Sequence, residues 1–428
     1  MLLIKNGRVI DPASKMDEKK DLLVENGKIV KVLESGTENT ALEAEYGHLA
    51  IIDATGLVVA PGLVDVHVHF RDPGLTYKED IHTGAAAAAK GGFTTVVCMA
   101  NTKPPIDNVE TLEYVINEGK KTPIHVLAAA TVSKGMKGQE LTNMEELKAH
   151  GAAGFTDDGI PLMNEELVRQ AMVEAARLNM PLSFHEEDPA FIKNNGINHG
   201  AVSDELGIYG SPSMAEDSLV ARDCMIALHT GADVNIQHMS SGNAVRMIGL
   251  AKELGAHVFA EVTPHHFTLD ETAVLKHGTL AKMNPPLRTA KDRDEIIKGI
   301  QNGTIDMIAT DHAPHSVEEK SKPLTEAPSG IIGLETALAL GITHLVKPGH
   351  ISMVRLMEMM SLNPAKLYHL ECGMIAEGAP ADFVLFDEDE QWTVDTFASK
   401  ACNSPFVGEI LTGKVKMTIC NGKLAYQE

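Results

Sequence analysis

The chain has 428 residues, of which 44% are hydrophobic and only 4% aromatic, so aliphatic side chains must fill most of a large core. Its 37 Lys and Arg residues against 59 Asp and Glu residues give a formal net charge of −22. Nucleic-acid and anionic-membrane surfaces require clustered cations, so this charge argues against both. It still permits an anionic small substrate held by a local cation.

The cysteines and the N-terminal stretch both indicate a cytoplasmic protein. The cysteines are odd in number and scattered, without a C-x-x-C pair, which predicts reduced thiols: Cys98, Cys224, Cys372, Cys402 and Cys420. The opening MLLIKNGRVIDP carries a lysine at position 5 and does not resemble a signal peptide. No window approaches the roughly 20 apolar residues that a membrane span needs. We therefore expect a soluble, cytoplasmic, globular protein.

Both ends of the chain consist of short β-type runs broken by Asn-Gly pairs. The runs are LLIKNGRVID and DLLVENGKIVKV near the start, and ADFVLFDED and VKMTICNGKLAY near the end. Asn-Gly between β-rich runs predicts hairpins, because both residues tolerate a positive φ. A lone hairpin is marginal in water. We therefore predict that residues 1–55 and 375–428 form one discontinuous, β-sandwich-like domain, in preference to two unrelated hairpins.

Between these ends, short Val- and Ile-rich runs alternate with helical segments. The runs span residues 62–70, 94–100, 123–129, 152–158, 181–187, 233–239, 257–263 and 305–311. They are mostly unalternating, as strands covered on both faces are. Helices are predicted over 164–179, after an Asn cap, and over 213–229. Eight strands in β-helix alternation predict an α/β fold, a (β/α)₈ TIM-type barrel over residues 56–374. An open doubly wound sheet is the alternative, weakened because no G-x-G-x-x-G follows an early strand.

Polar residues stand where these runs end, and a barrel brings the C-terminal ends of its strands to one rim. His67 and His69 end the first run, and the later ends carry Asn101, Asp157, Asp158, His185, His238 and Asp311. Taken singly, each histidine is explained by core hydrogen bonding and each aspartate by a turn or cap. These explanations do not account for the placement of all of them together at one rim.

The residue types at this rim indicate a metal centre. Period-2 alternation puts His67 and His69 on the same face of a strand, so both rings can reach one ion. Four imidazoles and two carboxylates without a thiolate suit zinc, manganese, cobalt or iron, and fit a two-metal site. The sequence contains no G-x-S-x-G elbow, no G-x-x-x-x-G-K-[ST] phosphate loop and no H-E-x-x-H helix.

Several segments resemble one enzyme family over nearly the whole chain. DVHVHFRDP (65–73) and ATDHAPHSVEEK (309–320) resemble the two signature segments of dihydroorotases, which belong to the amidohydrolase superfamily. MANTKPP, FTDDG, KMNPPLR and APSGIIGLE are similar to this family in the expected order, and the long bacterial form is the best match. The resemblance implies reversible hydrolysis of (S)-dihydroorotate to N-carbamoyl-L-aspartate in de novo pyrimidine (UMP) biosynthesis.

The resemblance also implies a ligand set, with two Zn²⁺ ions per chain. One ion takes His67, His69 and Asp311, the other takes His185 and His238, and Asp158 bridges them. Many relatives in the superfamily bridge with a carboxylated lysine, but GFTDDG offers none, and Asp157 is then a supporting or turn residue. By this resemblance a metal-bridging hydroxide attacks the ring carbonyl, and Asp311 carries its proton to the departing ring nitrogen.

Arg71 lies two residues beyond His69 and shares its face, so its guanidinium can bind the ring carboxylate of dihydroorotate. A surface arginine capping the DPG turn is the alternative. Family matching gives a substrate-binding set of His69, Arg71, Asn101, Asn284, His315, Ser329 and Gly330. Arg288 is a second arginine that could bind the substrate carboxylate, and it is not included in this set. The stretch from 311 to about 330 is predicted to form a lid-like loop.

Other functions remain open at this point. Hydantoinase or dihydropyrimidinase substrates have no ring carboxylate for Arg71, whereas allantoinase is excluded less firmly. A catalytically inactive scaffold for aspartate transcarbamoylase is disfavoured because all six ligand positions are filled. A metal-free binding protein would leave polar groups at the rim unpaired. The family suggests a homodimer, with association with aspartate transcarbamoylase as a further possibility.

Overall fold

The computed structural model describes residues 1–428. Its strands, in chain order, are β1 (Leu2–Asp11), β2 (Met16–Glu25), β3 (Lys28–Glu34), β4 (Ala50–Asp53), β5 (Val58–Pro61), β6 (Leu63–Val68), β7 (Phe93–Cys98), β8 (His125–Ala128), β9 (Leu182–Phe184), β10 (Val234–Ile236), β11 (Val258–Val262), β12 (Met307–Ile308), β13 (Phe383–Thr393), β14 (Ile410–Cys420) and β15 (Lys423–Gln427).

The helices lie mainly between the strands of the central part. They are α1 (Asn39–Tyr46), α2 (Ile81–Lys90), α3 (Val109–Gly119), α4 (Met144–Ala149), α5 (Glu165–Leu178), α6 (Ala201–Glu205), α7 (Met214–Thr230), α8 (Gly242–Glu253), α9 (Pro264–Thr268), α10 (Ala273–His277), α11 (Ala290–Asn302), α12 (Val317–Lys320), α13 (Ala337–Gly341), α14 (Met353–Met357) and α15 (Asn363–Leu367). Wider π turns at Ile342–Val346 and Glu358–Leu362 continue α13 and α14. None of the helices in the described chain is long and apolar enough to cross a membrane.

Both chain ends contribute to one sheet, with the strand order β15-β14-β13-β5-β1-β2-β3 and with β4 beside β1. The two ends meet where β13 pairs antiparallel with β5, Phe383 opposite Pro61. Because β5 pairs with β1 and β13, the sheet extends past the boundary predicted at residue 55 and includes residues up to 61.

Two of the Asn-Gly pairs form tight turns, and the third does not. Asn26-Gly27 and Asn421-Gly422 have positive φ throughout and connect β2 to β3 and β14 to β15. The expected turn at Gly7 is instead an irregularity inside β1, where the register with β2 shifts. Glycine is needed there because a Cβ would lie 2.5 Å from Val59 Cγ2 of the neighbouring strand.

The central strands are parallel and nearly all of their residues are buried. One group has the order β6-β7-β8 and the other the order β9-β10-β11-β12. Single bridges connect the groups: Ala130 with Phe155, Phe155 with Leu182, and Val68 with His312. The helices predicted beside these strands are confirmed, since α5 begins after its Asn164 cap and α7 ends before Gly231.

Most predicted strands are shorter than expected, such as β9 and β10 with three residues each, and at the two shortest a carboxylate binds backbone N–H groups beside the run. The 152–158 run makes only bridges at Phe155, because the N–H groups of Val132 and Ser133 donate to the Asp157 carboxylate. The 305–311 run is a strand only at β12, because the Thr310 N–H donates to Asp65. Both short strands lead directly into candidate ligands.

Candidate active site

The chain segments that follow the central strands bring six side chains together at one end of these strands. His67 lies in β6 and His69 directly after it, and His185, His238 and Asp311 follow β9, β10 and β12. Asp158 follows the bridge at Phe155. All six side chains are buried, with at most 6% exposure. Their ligand atoms form three overlapping groups within 4.8 Å: His67, His69, Asp158; His67, His238, Asp311; and Asp158, His185, His238.

The two carboxylates lie among the imidazoles. His69 Nε2 is 2.9 Å from Asp311 Oδ1 and 3.4 Å from Asp158 Oδ2, while His67 Nε2 is 3.4 Å from Asp158 Oδ1 and 3.5 Å from Asp311 Oδ1. On the other side, His238 Nε2 is 3.8 Å from Asp158 Oδ1 and 2.9 Å from His185 Nδ1. Asp158 therefore lies between the two halves of the cluster.

Asp157 points away from this cluster. Its carboxylate accepts from the N–H groups of Val132 (2.8 Å) and Ser133 (3.1 Å) and from the Ser133 hydroxyl. Burial raises the pKa of Asp157 to about 6. Its neighbour Asp158 thus supplies the carboxylate at the rim, and Asp157 fixes the loop beneath it.

The field within the cluster keeps its two carboxylates ionised. Burial by itself raises the pKa of Asp311, but His67 and the hydrogen-bonded His69 outweigh it and hold that pKa below its usual range. The same holds for the pKa of Asp158, which burial raises and the facing His67 and His238 lower well below its usual value. Anionic oxygens among imidazole nitrogens are a donor set for divalent transition ions.

Hydrogen bonds behind the rings fix which nitrogen faces the cluster. The Nδ1–H of His67 donates to Glu261 Oε1 at 2.5 Å, and that of His69 donates to Asn101 Oδ1 at 3.0 Å. Both Nε2 lone pairs are thereby directed at the carboxylates, as metal-binding histidines require. His67 Nε2 is fully buried and has no hydrogen-bond partner. A buried, unpartnered nitrogen in this position fits a metal ligand, so the residues present fit the divalent ions that the sequence predicts.

Glu261 and Asp65 support the site and were missed by the sequence reasoning. Glu261 also accepts from the His238 N–H (3.2 Å) and from Asn235 Nδ2 (2.8 Å), and it is fully buried. Asp65 accepts from the N–H groups of His67 and Thr310, which ties β6 to the segment before Asp311. A carboxylate inside an otherwise apolar run, as in GLVDV and FAEV, is the signal that could have found both.

Three of the rim residues have strained backbones. Arg71, His238 and Asp311 have φ values of 59°, 34° and 46°, in the left-handed region that non-glycine residues seldom adopt. Strain of this kind persists only where the surrounding structure imposes it, and it concentrates at functional sites.

A cavity of about 400 Å³ opens onto the cluster. Its lining combines five of the six cluster residues with the predicted substrate contacts Arg71, Asn101, Asn284, His315 and Ser329. Arg71 is held by its Nε–H, which donates to Pro314 O at 3.3 Å. Asn284 places Nδ2 3.4 Å from His185 Nε2, and its Oδ1 is buried without a partner. The cavity therefore presents one guanidinium and several amide groups beside the anionic centre.

His315, Ser329 and Gly330 form one wall. The His315 Nε2–H donates to Ser329 O at 2.8 Å, and its Nδ1 accepts from Lys78 Nζ at 3.2 Å. Burial, followed by the nearby Arg71 and Lys78 charges, lowers the pKa of His315 to about 2, so the ring is neutral. In the same wall, the Gly330 N–H donates to Lys282 O at 2.9 Å. Its backbone N–H is therefore already used within the protein.

Arg288 is not directed at the cavity. It is buried and donates to Ser240 Oγ (3.0 Å), Ser211 O (2.7 Å) and Asn198 Oδ1 (3.2 Å). These bonds connect loops on the flank of the cluster. Of the two arginines, only Arg71 lines the cavity; Lys282 also lines it, with its Nζ donating to Leu324 O and Ala327 O.

Fold and site together define a class of protein with parallel central strands and a buried histidine and aspartate centre suited to divalent ions. The structure is similar to that of L-hydantoinase (dihydropyrimidinase) from Arthrobacter aurescens, with a TM-score of 0.88 at 24% identity over 100% of this chain and 96% of that one. It is also similar to dihydropyrimidinase from Brevibacillus agri, with a TM-score of 0.83 at 24% identity over 99% and 95% of the two chains. At this level of identity the likeness concerns the fold alone.

Sequence comparisons give the family. The family model "Dihydro-orotase-like" matches residues 56–244. The chain is 60% identical to dihydroorotase of Clostridioides difficile and 52% identical to dihydroorotase of Streptococcus pneumoniae, in both cases over 100% of each chain. The chain is therefore a metal-dependent cyclic amidohydrolase, and it belongs to the dihydroorotase family.

Proposed function

We propose that the protein catalyses the reversible hydrolysis of (S)-dihydroorotate to N-carbamoyl-L-aspartate, a step of pyrimidine biosynthesis. The observation that carries this proposal is the placement of Arg71 in the same cavity as the histidine and aspartate cluster. A guanidinium binds a carboxylate with two parallel hydrogen bonds. It therefore matches the ring carboxylate that distinguishes dihydroorotate from the carboxylate-free rings of hydantoin and dihydrouracil.

The cluster residues His67, His69, Asp158, His185, His238 and Asp311 would hold two divalent ions, which we propose are zinc. When bound, such ions supply an activated water and polarise the ring carbonyl. The remaining chemistry belongs to the side chains. Asp311 is ionised and accepts the proton of the attacking water, then returns it to the ring nitrogen as the C–N bond breaks. In ring closure Asp311 makes the same transfers in reverse.

The other cavity residues would orient the ring. Asn101 bridges His69 and Asp158 through its amide, and it would contact the substrate as well. Asn284 offers a buried, unpartnered carbonyl oxygen, and Ser329 a buried, unpartnered hydroxyl. His315, being neutral, adds no charge beside Arg71, so the guanidinium keeps its full attraction for a carboxylate. Gly330 shapes the wall, because a Cβ there would lie 2.6 Å from Ala313 O.

We also infer that the central strands close into an eight-membered (β/α) barrel, with the terminal sheet as a separate small β domain. The bridges through Phe155 and between Val68 and His312 support this, because they join the edges of the two parallel groups. A barrel accounts for the meeting of ligands from β6, β9, β10 and β12 at one rim.

Three further parts of the proposal rest on family membership. They are a homodimeric state, a cytoplasmic location and a possible association with aspartate transcarbamoylase. Sedimentation of the purified protein alone and with that enzyme tests the first and the third, and cell fractionation tests the second.

Ring opening by the zinc-loaded protein tests the activity. Dihydroorotate, hydantoin, dihydrouracil and allantoin are offered in parallel. We expect turnover of dihydroorotate alone. Asp311→Ala should lower kcat by about 10²–10⁴-fold, the usual contribution of a general acid–base group. Arg71→Ala should mainly raise KM, by about 10–100-fold, because a charged hydrogen bond contributes about 1.5–3 kcal/mol. The exposed Arg169→Ala serves as the matched control.

Each alternative has its own result. Preference for a carboxylate-free ring, with Arg71→Ala without effect, would assign the protein to another cyclic amidohydrolase activity, a hydantoinase or an allantoinase. Metal bound at the cluster without turnover of any ring would indicate an inactive scaffold. Either outcome overturns the proposal.

A further inference from the structure

A second group of metal-type donors lies at the opposite ends of the strands from the active centre. Its members are His125, the first residue of β8, Asp382, directly before β13, and Cys420, the last residue of β14. Their ligand atoms lie within 4.8 Å of one another. The group thus joins two strands of the terminal sheet to a strand of the central part.

Asp382 gives this group a buried carboxylate with one oxygen that makes no hydrogen bond. The side chain is 4% exposed, and its Oδ1 accepts from the Asn421 N–H at 2.6 Å. Its Oδ2 makes no hydrogen bond of good geometry and lies in an ion contact 3.3 Å from His125 Nε2, whose pKa this carboxylate raises. A buried carboxylate oxygen without a hydrogen bond is unfavourable, because solvent cannot replace the missing donor. The oxygen is therefore placed as an acceptor or ligand for a group that approaches between His125 and Cys420.

The side chains around this group also include polar atoms without a hydrogen bond. Thr95 pairs with His125 in the β7–β8 register, and its buried hydroxyl has no partner. The Cys420 thiol makes a long contact of 3.8 Å to Thr94 O. His125 has 37% of its side chain exposed, which gives a small cation access from solvent. Two buried polar atoms of this region, Thr95 Oγ1 and Asp382 Oδ2, thus have no hydrogen bond, and the group is exposed to solvent on the His125 side.

We propose that Cys420, His125 and Asp382 form a second metal site, distinct from the active centre, for a thiophilic divalent cation of the zinc class. Sulfur, imidazole nitrogen and carboxylate oxygen are the ligands that zinc takes in proteins, and three of them leave one tetrahedral position for water. The active centre, by contrast, is built from nitrogen and oxygen alone. The two sites therefore differ in chemical selectivity, because a thiolate selects soft cations.

Binding at this site is coupled to proton release. Burial, followed by the nearby Asp382 charge, raises the pKa of the Cys420 thiol above its ordinary value. The cation therefore displaces the proton from Sγ to solvent as the metal–sulfur bond forms. Between the pKa of His125, which Asp382 raises, and that of the thiol, release of one proton makes the apparent affinity rise by about tenfold for each pH unit.

Occupancy would also link the two parts of the chain. A cation that binds the folded protein only adds RT ln(1 + [L]/Kd) to its stability. Because the ligands come from β8, β13 and β14, the added stability opposes separation of the terminal sheet from the central strands. We expect a higher unfolding temperature in the presence of the cation.

Cobalt(II) distinguishes the sites spectroscopically. Only thiolate ligation gives a sulfur-to-cobalt charge-transfer band, and the active-centre ligands contain no sulfur. Titration of the full-length protein with Co²⁺ should give this band at one equivalent beyond the active-centre ions. Cys420→Ser should abolish the band, whereas the exposed Cys402→Ser, the matched control, should retain it. Ring opening by zinc-loaded Cys402→Ser should equal that of the wild type.

A second variant guards against misfolding of Cys420→Ser. His125 is partly exposed, so His125→Gln should fold, and its Co²⁺ affinity should fall by about 10-fold or more, at least the loss that supporting residues of metal sites give. A wild-type protein without the charge-transfer band would overturn the proposal. So would a band that persists in Cys420→Ser, since another thiol would then bind the ion. Neither result bears on ring opening, which depends on residues at the opposite strand ends.

Discussion

The carboxylate of Glu261 selects the tautomer of His67, and Glu261→Gln tests this role with almost no change of volume. Glu261 accepts from His67 Nδ1–H, from the His238 N–H and from Asn235 Nδ2. An amide keeps one acceptor and gains a donor. If its oxygen faces His67, its NH₂ faces the Asn235 NH₂; if it is flipped, its NH₂ faces His67 Nδ1. The flipped form favours the tautomer that carries its proton on Nε2, where a metal ligand needs a lone pair.

The size of the effect follows from these contacts. Glu261 is fully buried, so solvent cannot replace the lost acceptor. Residues that support metal ligands typically change metal affinity by about 10–100-fold, which corresponds to about 1.4–2.8 kcal/mol. We therefore expect Glu261→Gln to weaken binding at the cluster by this factor and to lower activity at limiting metal. Activity should recover at saturating metal to the extent that the His67 ring returns to its position.

Competition with a chromophoric chelator measures the affinity, and elemental analysis gives the metal content of each purified variant. The exposed Glu253→Gln carries the same chemical change away from the cluster and should match the wild type. A zinc affinity of Glu261→Gln equal to that of the wild type would refute the reasoning, because His67 would then be oriented by something other than its bond to Glu261.

Removal of the active-centre metal by a chelator should abolish ring opening and lower the unfolding temperature, with both restored by Zn²⁺; activity that survives verified metal removal would contradict this. Lys320 donates to Pro328 O and Gly330 O, and burial lowers its pKa to about 7. Because the folded pKa of Lys320 is lower than that of the unfolded chain, the unfolded chain takes up the proton first as the pH falls. The free energy of unfolding therefore decreases as the pH falls from about 10.4 to about 7. Relative to Lys320→Met, the free energy of unfolding of the wild type should therefore increase by up to about 1.4 kcal/mol per pH unit between about pH 7 and pH 10, as measured by denaturant titration. Parallel pH profiles of the two proteins would contradict the assignment. In Gly84→Ala the new Cβ would lie 2.3 Å from Phe70 Cδ1, so we expect the free energy of unfolding to fall by about 1–3 kcal/mol. Gly249→Ala, where the nearest atom to the new Cβ is 3.7 Å away, is the control. Equal denaturation midpoints for the two variants would contradict the expected overpacking at Gly84.

The candidate ligands were predictable because they follow a local rule. Each strand of the central part is a short apolar run, and polar residues at the ends of several such runs, taken together, are not explained by the core. His67, His185 and His238 were found in this way. Family resemblance then chose Asp158 over Asp157, a choice that local pattern could not make because the two are adjacent. In the structure only Asp158 faces the imidazoles, since Asp157 is bound to the N–H groups of Val132 and Ser133.

Other features depend on residues far apart in the chain. Glu261 meets His67 across 194 positions, and Asp65 meets Thr310 across 245. No periodicity of one segment gives such a pair. The same limit applies to Asn6-Gly7, which has the sequence of a turn but lies within β1 because the strand must pass close to Val59.

The sequence by itself determined the alternation of strands and helices, the ligand types and the family, because these depend on local periodicity, side-chain chemistry and matching motifs. Tertiary structure alone decided which oxygen and nitrogen atoms meet. It directed Arg71 into the cavity while holding Arg288 in a buried network, and it brought Cys420 to His125 and Asp382. The physical reason is that hydrogen bonds and ion contacts act over a few ångströms, and only the folded chain brings distant residues within that range.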